Sequence, residues 1–178
     1  KVTGQEAGHG IRGLIAAYGE PAPGPGAALG LRLLPAAEAL AMVPSWRWLQ
    51  LGIDPARSRT LVRAARVAGS LERALVADPA KADLTLRSLP GIGGWTSAEV
   101  RARALGDADA VSFGDYHVAR DLGWALTGSP TDDAGLARLL EPYRPHRLRV
   151  QRLIGMAGLG VPRRGPRLAP RSHLPTRG

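Results

Sequence analysis

The residues best placed to do chemistry are a glycine-rich corner, Leu89-Pro90-Gly91-Ile92-Gly93-Gly94-Trp95-Thr96, and a carboxylate further along the chain, Asp115. Gly91 and Gly93 permit a positive φ, so the chain can reverse within a few residues. Pro90 has no N–H to donate and tends to end the helix before it. A helix starting after the corner leaves the N–H groups of Gly93, Gly94 and Trp95 unpaired, which together with the helix dipole makes a site for a phosphate. A carboxylate facing that site can stabilise positive charge developing on whatever the corner holds. Both features also have plainer readings. By spacing alone the corner reads equally well as an ordinary turn between packed helices, and aspartate is a frequent N-cap.

Helices on either side must hold these residues. Strand signals are weak: β-branched runs are few, while Ala, Leu and Arg abound. The pattern predicts an all-α protein. Helices are expected over 2–18, shortly after Pro35, and over 45–51. Pro21 to Gly26 reads as a stiff linker. Asp54-Pro55 is a strong start signal, an N-cap followed by Pro at the first helical position. That helix is expected to end at Gly69, with Ser70 capping the next. Residues 82–88 lead into the corner and 95–105 continue out of it. After a loop at 106–114, Asp115 is expected to start a helix to about 126. Thr131-Asp132-Asp133 opens another, and 145–159 form the last. Trp46 and Trp48, two positions apart, point to different faces of their helix, one to the core and one outward. Trp124 reads as core.

Composition narrows the class. At 178 residues the chain can build one compact core or two small lobes, and a hydrophobic fraction of 44% predicts a folded protein. The net charge of +9 and pI near 11.2 favour polyanions as partners, nucleic acid first; an Arg-rich coding bias is the plainer explanation. Cysteine is absent, which excludes disulfides, zinc–thiolate sites and cysteine-held iron–sulfur clusters. No apolar run approaches the roughly 18 residues needed to span a bilayer, and no secretory leader is visible. A cytoplasmic, nucleoid-associated location with no membrane partner is therefore expected. The start at Lys1, already in helical register, suggests that an amino-terminal part is missing. The expected organisation is one domain over 1–160 and a basic, disordered tail over 161–178.

Leu89 to Thr96, with Phe113-Gly114-Asp115-Tyr116 downstream, resembles the helix–hairpin–helix DNA glycosylase superfamily, and most of all its bacterial 3-methyladenine DNA glycosylase II branch. Lys1-Val2-Thr3-Gly4, Leu51-Gly52-Ile53 and Tyr143-Arg144-Pro145-His146-Arg147 also fit that branch, so the likeness covers residues 1 to about 160. The resemblance implies a two-lobed helical bundle with a catalytic cleft between the lobes. It assigns DNA binding to Pro90, Gly91, Ile92, Gly93, Gly94 and Thr96, and catalysis to Asp115. It implies no cofactor beyond a structural monovalent cation on the backbone carbonyls of Leu89 and Gly91. The partner would be double-stranded DNA carrying a damaged base, bound by a monomer. An amino-terminal sheet domain usual in the branch has no counterpart here.

The chemistry this permits is release of an alkylated purine. Breaking an N-glycosidic bond gives the sugar oxocarbenium character, which a fixed carboxylate stabilises. One charge pair near 4 Å at an effective dielectric of about 20 contributes roughly 4 kcal/mol, about a thousandfold in rate. An extruded base needs an aromatic receiver; Trp95 and Tyr116, beside the two motifs, are the candidates, with Trp46 a third. An indole favours a cationic base, although Trp95 reads equally well as a core residue locking its helix. His117, two positions beyond Asp115, points elsewhere on a helix and reads as a surface residue. Relatives that also cut the strand use a lysine just after the hairpin; that position here resembles Trp95, and the only lysines are Lys1 and Lys81. A monofunctional enzyme that leaves an abasic site is therefore expected. An apolar wedge is usual near the position of Lys1, so the wedge stays unassigned. Arg57, Arg59, Arg63 and Arg66, and likewise Arg144, Arg147, Arg149 and Arg152, can contact phosphate or simply solvate a helix face. The alternatives are a glycosylase for a deaminated or oxidised base, and a binding protein that has lost turnover.

Overall fold

The structure is a computed structural model describing residues 2–162. The basic tail lies outside the described residues apart from Val161 and Pro162, as does Lys1. The chain forms two compact units, one up to Leu71 and one from Glu72 onward. Among the described residues the backbone is helical, and its only β feature is an isolated antiparallel bridge between Pro21 and Arg32.

In the first unit, α1 (Gly4–Tyr18) opens with a capping box: the Thr3 hydroxyl accepts from the Glu6 N–H while Glu6 accepts from the Thr3 N–H. The segment expected to be only a linker contains one helical turn, α2 (Pro25–Ala28), started by Pro25 at its first position. Then come α3 (Ala37–Ala41), α4 (Ser45–Gln50) and α5 (Pro55–Arg66). Asp54 caps α5 as its type predicts, accepting from the Ala56 and Arg57 N–H groups. Trp48 is the centre of this unit's core, with Leu14, Val43 and Leu51 around it. Its indole N–H donates to the Val43 carbonyl at 3.1 Å, so burial leaves no polar atom stranded. Trp46 faces outward, so the two tryptophans divide between core and surface as their spacing predicts.

The break after α5 falls at Val67 rather than Gly69. The Val67 carbonyl accepts both the Leu71 N–H and the Ser70 hydroxyl, so α6 (Ala68–Ala77) resumes at once and Ser70 lies inside it.

The second unit holds α7 (Ala82–Arg87), α8 (Gly94–Ala104), α9 (Val118–Thr127), α10 (Asp133–Leu140) and α11 (Arg147–Met156). Its core is Val111, Ala119, Leu122, Leu136, Leu140 and Ile154. Asp132 caps α10 by accepting from the Gly135 N–H at 2.7 Å. Trp124 is not core: α9 buries Ala119, Leu122 and Gly123, which turns the neighbouring indole outward.

Candidate active site

The corner between α7 and α8 is a tight turn on the protein surface. Pro90 and Gly91 occupy its centre, Gly91 at φ 100°, and the Ile92 N–H closes it on the Leu89 carbonyl at 3.0 Å. Proline followed by a glycine at positive φ is the type II pattern. Gly93, in contrast to the expectation, is extended rather than left-handed (φ −95°, ψ −179°), as an N-cap residue should be. It has no side chain to offer the first turn of α8, whose leading N–H groups therefore point outward from exposed Gly93, Gly94 and Trp95. The first regular bond of the helix runs from the Ser97 N–H to the Gly93 carbonyl.

The two arms of the hairpin are fastened below this tip. The Ser97 hydroxyl donates to Asp83 of α7 at 2.7 Å, and Arg101 of α8 bridges Asp83 and Asp107. The Ser97 bond, opposed by partial burial and aided by Arg101 and Arg87, holds the Asp83 carboxyl below its usual range.

Asp115 does not start α9. That helix begins at Val118, and Asp115 stands in the loop ahead of it, where its Oδ1 accepts from the His117 N–H at 2.8 Å and the Val118 N–H at 3.3 Å. An aspartate that bonds two residues ahead holds a turn, not the helix itself. The residue before it, Gly114, has φ 84°, a conformation in which a side chain would be strained. A Cβ placed on Gly114 would lie 3.9 Å from the Trp95 Cβ. The loop carrying the carboxylate thus rests against the first turn of the hairpin's second helix, and Asp115 is part-exposed.

Trp95, Tyr116 and His117 are exposed, with the Tyr116 and His117 rings edge to face at 4.9 Å. Trp95 is 46% exposed, which disposes of a purely core role. Trp46, 59% exposed, is carried on α4 of the first unit. A hollow of about 440 Å³ lined by His117, Val118, Asp121, Gln151 and Ile154 does not include Asp115 among its walls.

Four residues that sequence reasoning passed over fix this loop. Ser112, buried, donates its hydroxyl to Glu99 of α8 at 2.5 Å and its N–H to Gln151 of α11 at 3.2 Å. The Gly114 N–H donates to Asp133 of α10 at 2.8 Å. Each partner is far from the loop in sequence, so no periodicity announces it; Asp133 was legible only as part of a helix start. Of the arginines that could contact phosphate or solvate a helix face, Arg57, Arg144 and Arg147 are held by carboxylates: Arg57 by Asp54, Arg147 forked onto Asp109, and Arg144 on Asp109 and Glu141.

No protein-family model matches the chain. Over 142 residues it is 34% identical to proteins of two Mycobacterium tuberculosis strains named as a probable bifunctional transcriptional activator/DNA repair enzyme AlkA, an alignment covering 75% of this chain. The chain spans 26% of the length of those relatives. Its fold is similar to the crystal structure of a DNA-3-methyladenine glycosidase from Bacillus halodurans, with a TM-score of 0.64 and 18% identity over 89% of this chain and 71% of that one. A helical hairpin with a carboxylate loop near it, seen with these likenesses, makes the chain similar to the helix–hairpin–helix DNA glycosylases. Its sequence likeness is to the proteins named AlkA.

Proposed function

We propose that this chain is a monofunctional DNA glycosylase that hydrolyses the N-glycosidic bond of alkylated purines in duplex DNA and leaves an abasic site. The observation that carries the reading is the closeness of Gly114 to Trp95, since a carbon built on Gly114 would lie 3.9 Å from the Trp95 Cβ, and Asp115 is the next residue. The exposed N–H groups of Gly93, Gly94 and Trp95, with Thr96 next to them, grip a backbone phosphate, and Pro90, Gly91 and Ile92 shape the turn that presents them. Asp115 faces the deoxyribose of the neighbouring nucleotide and stabilises its oxocarbenium character, or orients the attacking water. Its Oδ1 is held by two backbone N–H groups, which aims the carboxylate before the substrate arrives. The extruded base stacks on Trp95 or Tyr116. An alkylated purine already carries positive charge, which suits an indole face and requires little protonation of the leaving group.

The Leu89 carbonyl accepts one hydrogen bond, from Ile92, and keeps a second lone pair. With the Gly91 carbonyl it suits a monovalent cation, which would add positive charge facing the phosphate. Among the described residues no group of His, Asp and Glu suits a metal ion, and no helix is long and apolar enough to cross a membrane. The reading places the chain, as a monomer, with the chromosomal DNA.

The test is an abasic-site assay on duplexes carrying 3-methyladenine, 7-methylguanine, hypoxanthine or uracil. Release of the methylated purines, lost in Asp115→Asn with duplex affinity retained, is the expected result. Release of hypoxanthine or uracil alone would move the reading to a deaminated base, and no release from any duplex would leave a DNA-binding protein without turnover. Borohydride trapping of a covalent protein–DNA adduct would overturn the monofunctional assignment.

A further inference from the structure

We infer that Asp133 is a positioning residue for Asp115, its carboxylate holding the Gly114 N–H and so fixing the direction in which the next residue presents its side chain. The inference rests on the reading of Asp115 as the catalytic carboxylate. Gly114, the residue directly before Asp115, is a joint at positive φ, and glycine turns there with little resistance from its own backbone. The His117 and Val118 N–H groups hold the carboxylate locally, but a joint of that kind leaves the backbone that carries Asp115 to whatever restrains it from outside. Upstream, Ser112 is locked to Glu99 and Gln151; downstream, Val118 starts α9. Between these anchors, the 2.8 Å bond to Asp133 Oδ2 restrains the backbone of Gly114 itself.

Asp133 is not needed to start its own helix. The N-cap of α10 is Asp132, which accepts from the Gly135 N–H. A second carboxylate at the head of α10, exposed and directed to the amide of a distant loop, therefore contributes chiefly to that loop. Because it is exposed, its removal leaves the core of Leu136 and Leu140 untouched.

The test compares Asp133→Ala with Asp133→Asn in the full chain, using single-turnover base release on the same four duplexes, duplex affinity, and the NMR signal and solvent exchange of the Gly114 amide. Asparagine keeps an oxygen that accepts from the amide; alanine does not. Misplacing a reacting group by about 1 Å costs up to about a hundredfold. The expected result for Asp133→Ala is a release step about 10- to 100-fold slower, with affinity within about twofold and faster Gly114 exchange. Asp133→Asn should stay within about threefold of the wild type. Full-rate release by the alanine variant, a loss confined to affinity, or an asparagine variant as slow as alanine would overturn the inference. If the wild type releases no base, the glycosylase reading fails by itself; an unchanged Gly114 amide in Asp133→Ala would separately refute the restraint.

Discussion

Residues up to Leu71 gather around one indole, Trp48, with Leu14, Val43 and Leu51 packed on it. Side-chain bonds such as Thr3–Glu6, Arg47–Gln50 and Asp54–Arg57 reach three positions along the chain, and the Arg32 guanidinium on the Gly19 carbonyl is a longer exception. From Glu72 onward the aliphatic core is overlaid by bonds that join distant segments: Asp83 to Arg101, Ser112 to Glu99 and Gln151, Gly114 to Asp133, Asp109 to Arg147. Apolar packing is non-directional and tolerates small shifts of one element over another. Hydrogen bonds and ion pairs at 2.5–2.8 Å do not. The unit in which such long-range directional bonds are denser is the one that carries the hairpin and Asp115. Where groups must meet a substrate within a fraction of an ångström, directional bonds on rigid elements supply the tolerance.

Three substitutions would break or sharpen this contrast. The largest effect is expected from Trp48→Ala, which empties the centre of the first unit; a loss of about 3–5 kcal/mol is expected in denaturant unfolding. A loss below about 1 kcal/mol would mean that this unit does not depend on its indole.

Asp109→Asn comes next and probes the polar web. Burial opposes the ionised form of Asp109, but the Arg147 side chain and backbone N–H, with Arg144, outweigh it, so the carboxyl sits below the ordinary value of 3.8. A carboxyl depressed in the folded state binds fewer protons there than when unfolded, so stability rises with pH across this range. The contribution is fully present above pH 3.8 and fades as pH falls through the lower native value. The variant should therefore lose about 1–3 kcal/mol near neutrality. Its stability curve should rejoin the wild type in acid; parallel curves would deny the ion pair its role.

The smallest effect belongs to Trp46→Ala. At 59% exposure it should change stability by less than about 0.5 kcal/mol, measured by the same unfolding curves. A large loss would place this indole in the packing of its unit rather than on its surface.

The sequence made the helical class, most element boundaries, the tight corner and the Trp46/Trp48 division legible, because each depends on neighbours within a turn or two. Proline at the centre of the corner and aspartate before Pro55 are local signals with local causes. Asp115 was recognisable as a residue but misplaced by three positions relative to α9, since a side chain capping a turn has the same signature as one capping a helix. Trp124 went wrong because helical spacing does not say which face a neighbouring element covers. The network around Ser112 and Gly114 was illegible for a third reason: its partners meet only once α8, α10 and α11 have packed.

The bond between Ser97 and Asp83 has one more consequence. It ties the two arms of the hairpin together within the protein itself, so the corner holds its shape with no ligand present. On the proposed function, a phosphate arriving there would meet donors already aligned and forgo the entropic penalty of organising them. Encounter rather than refolding would then set the pace of association, and added salt would act on the rate of arrival before it acts on the lifetime of the complex.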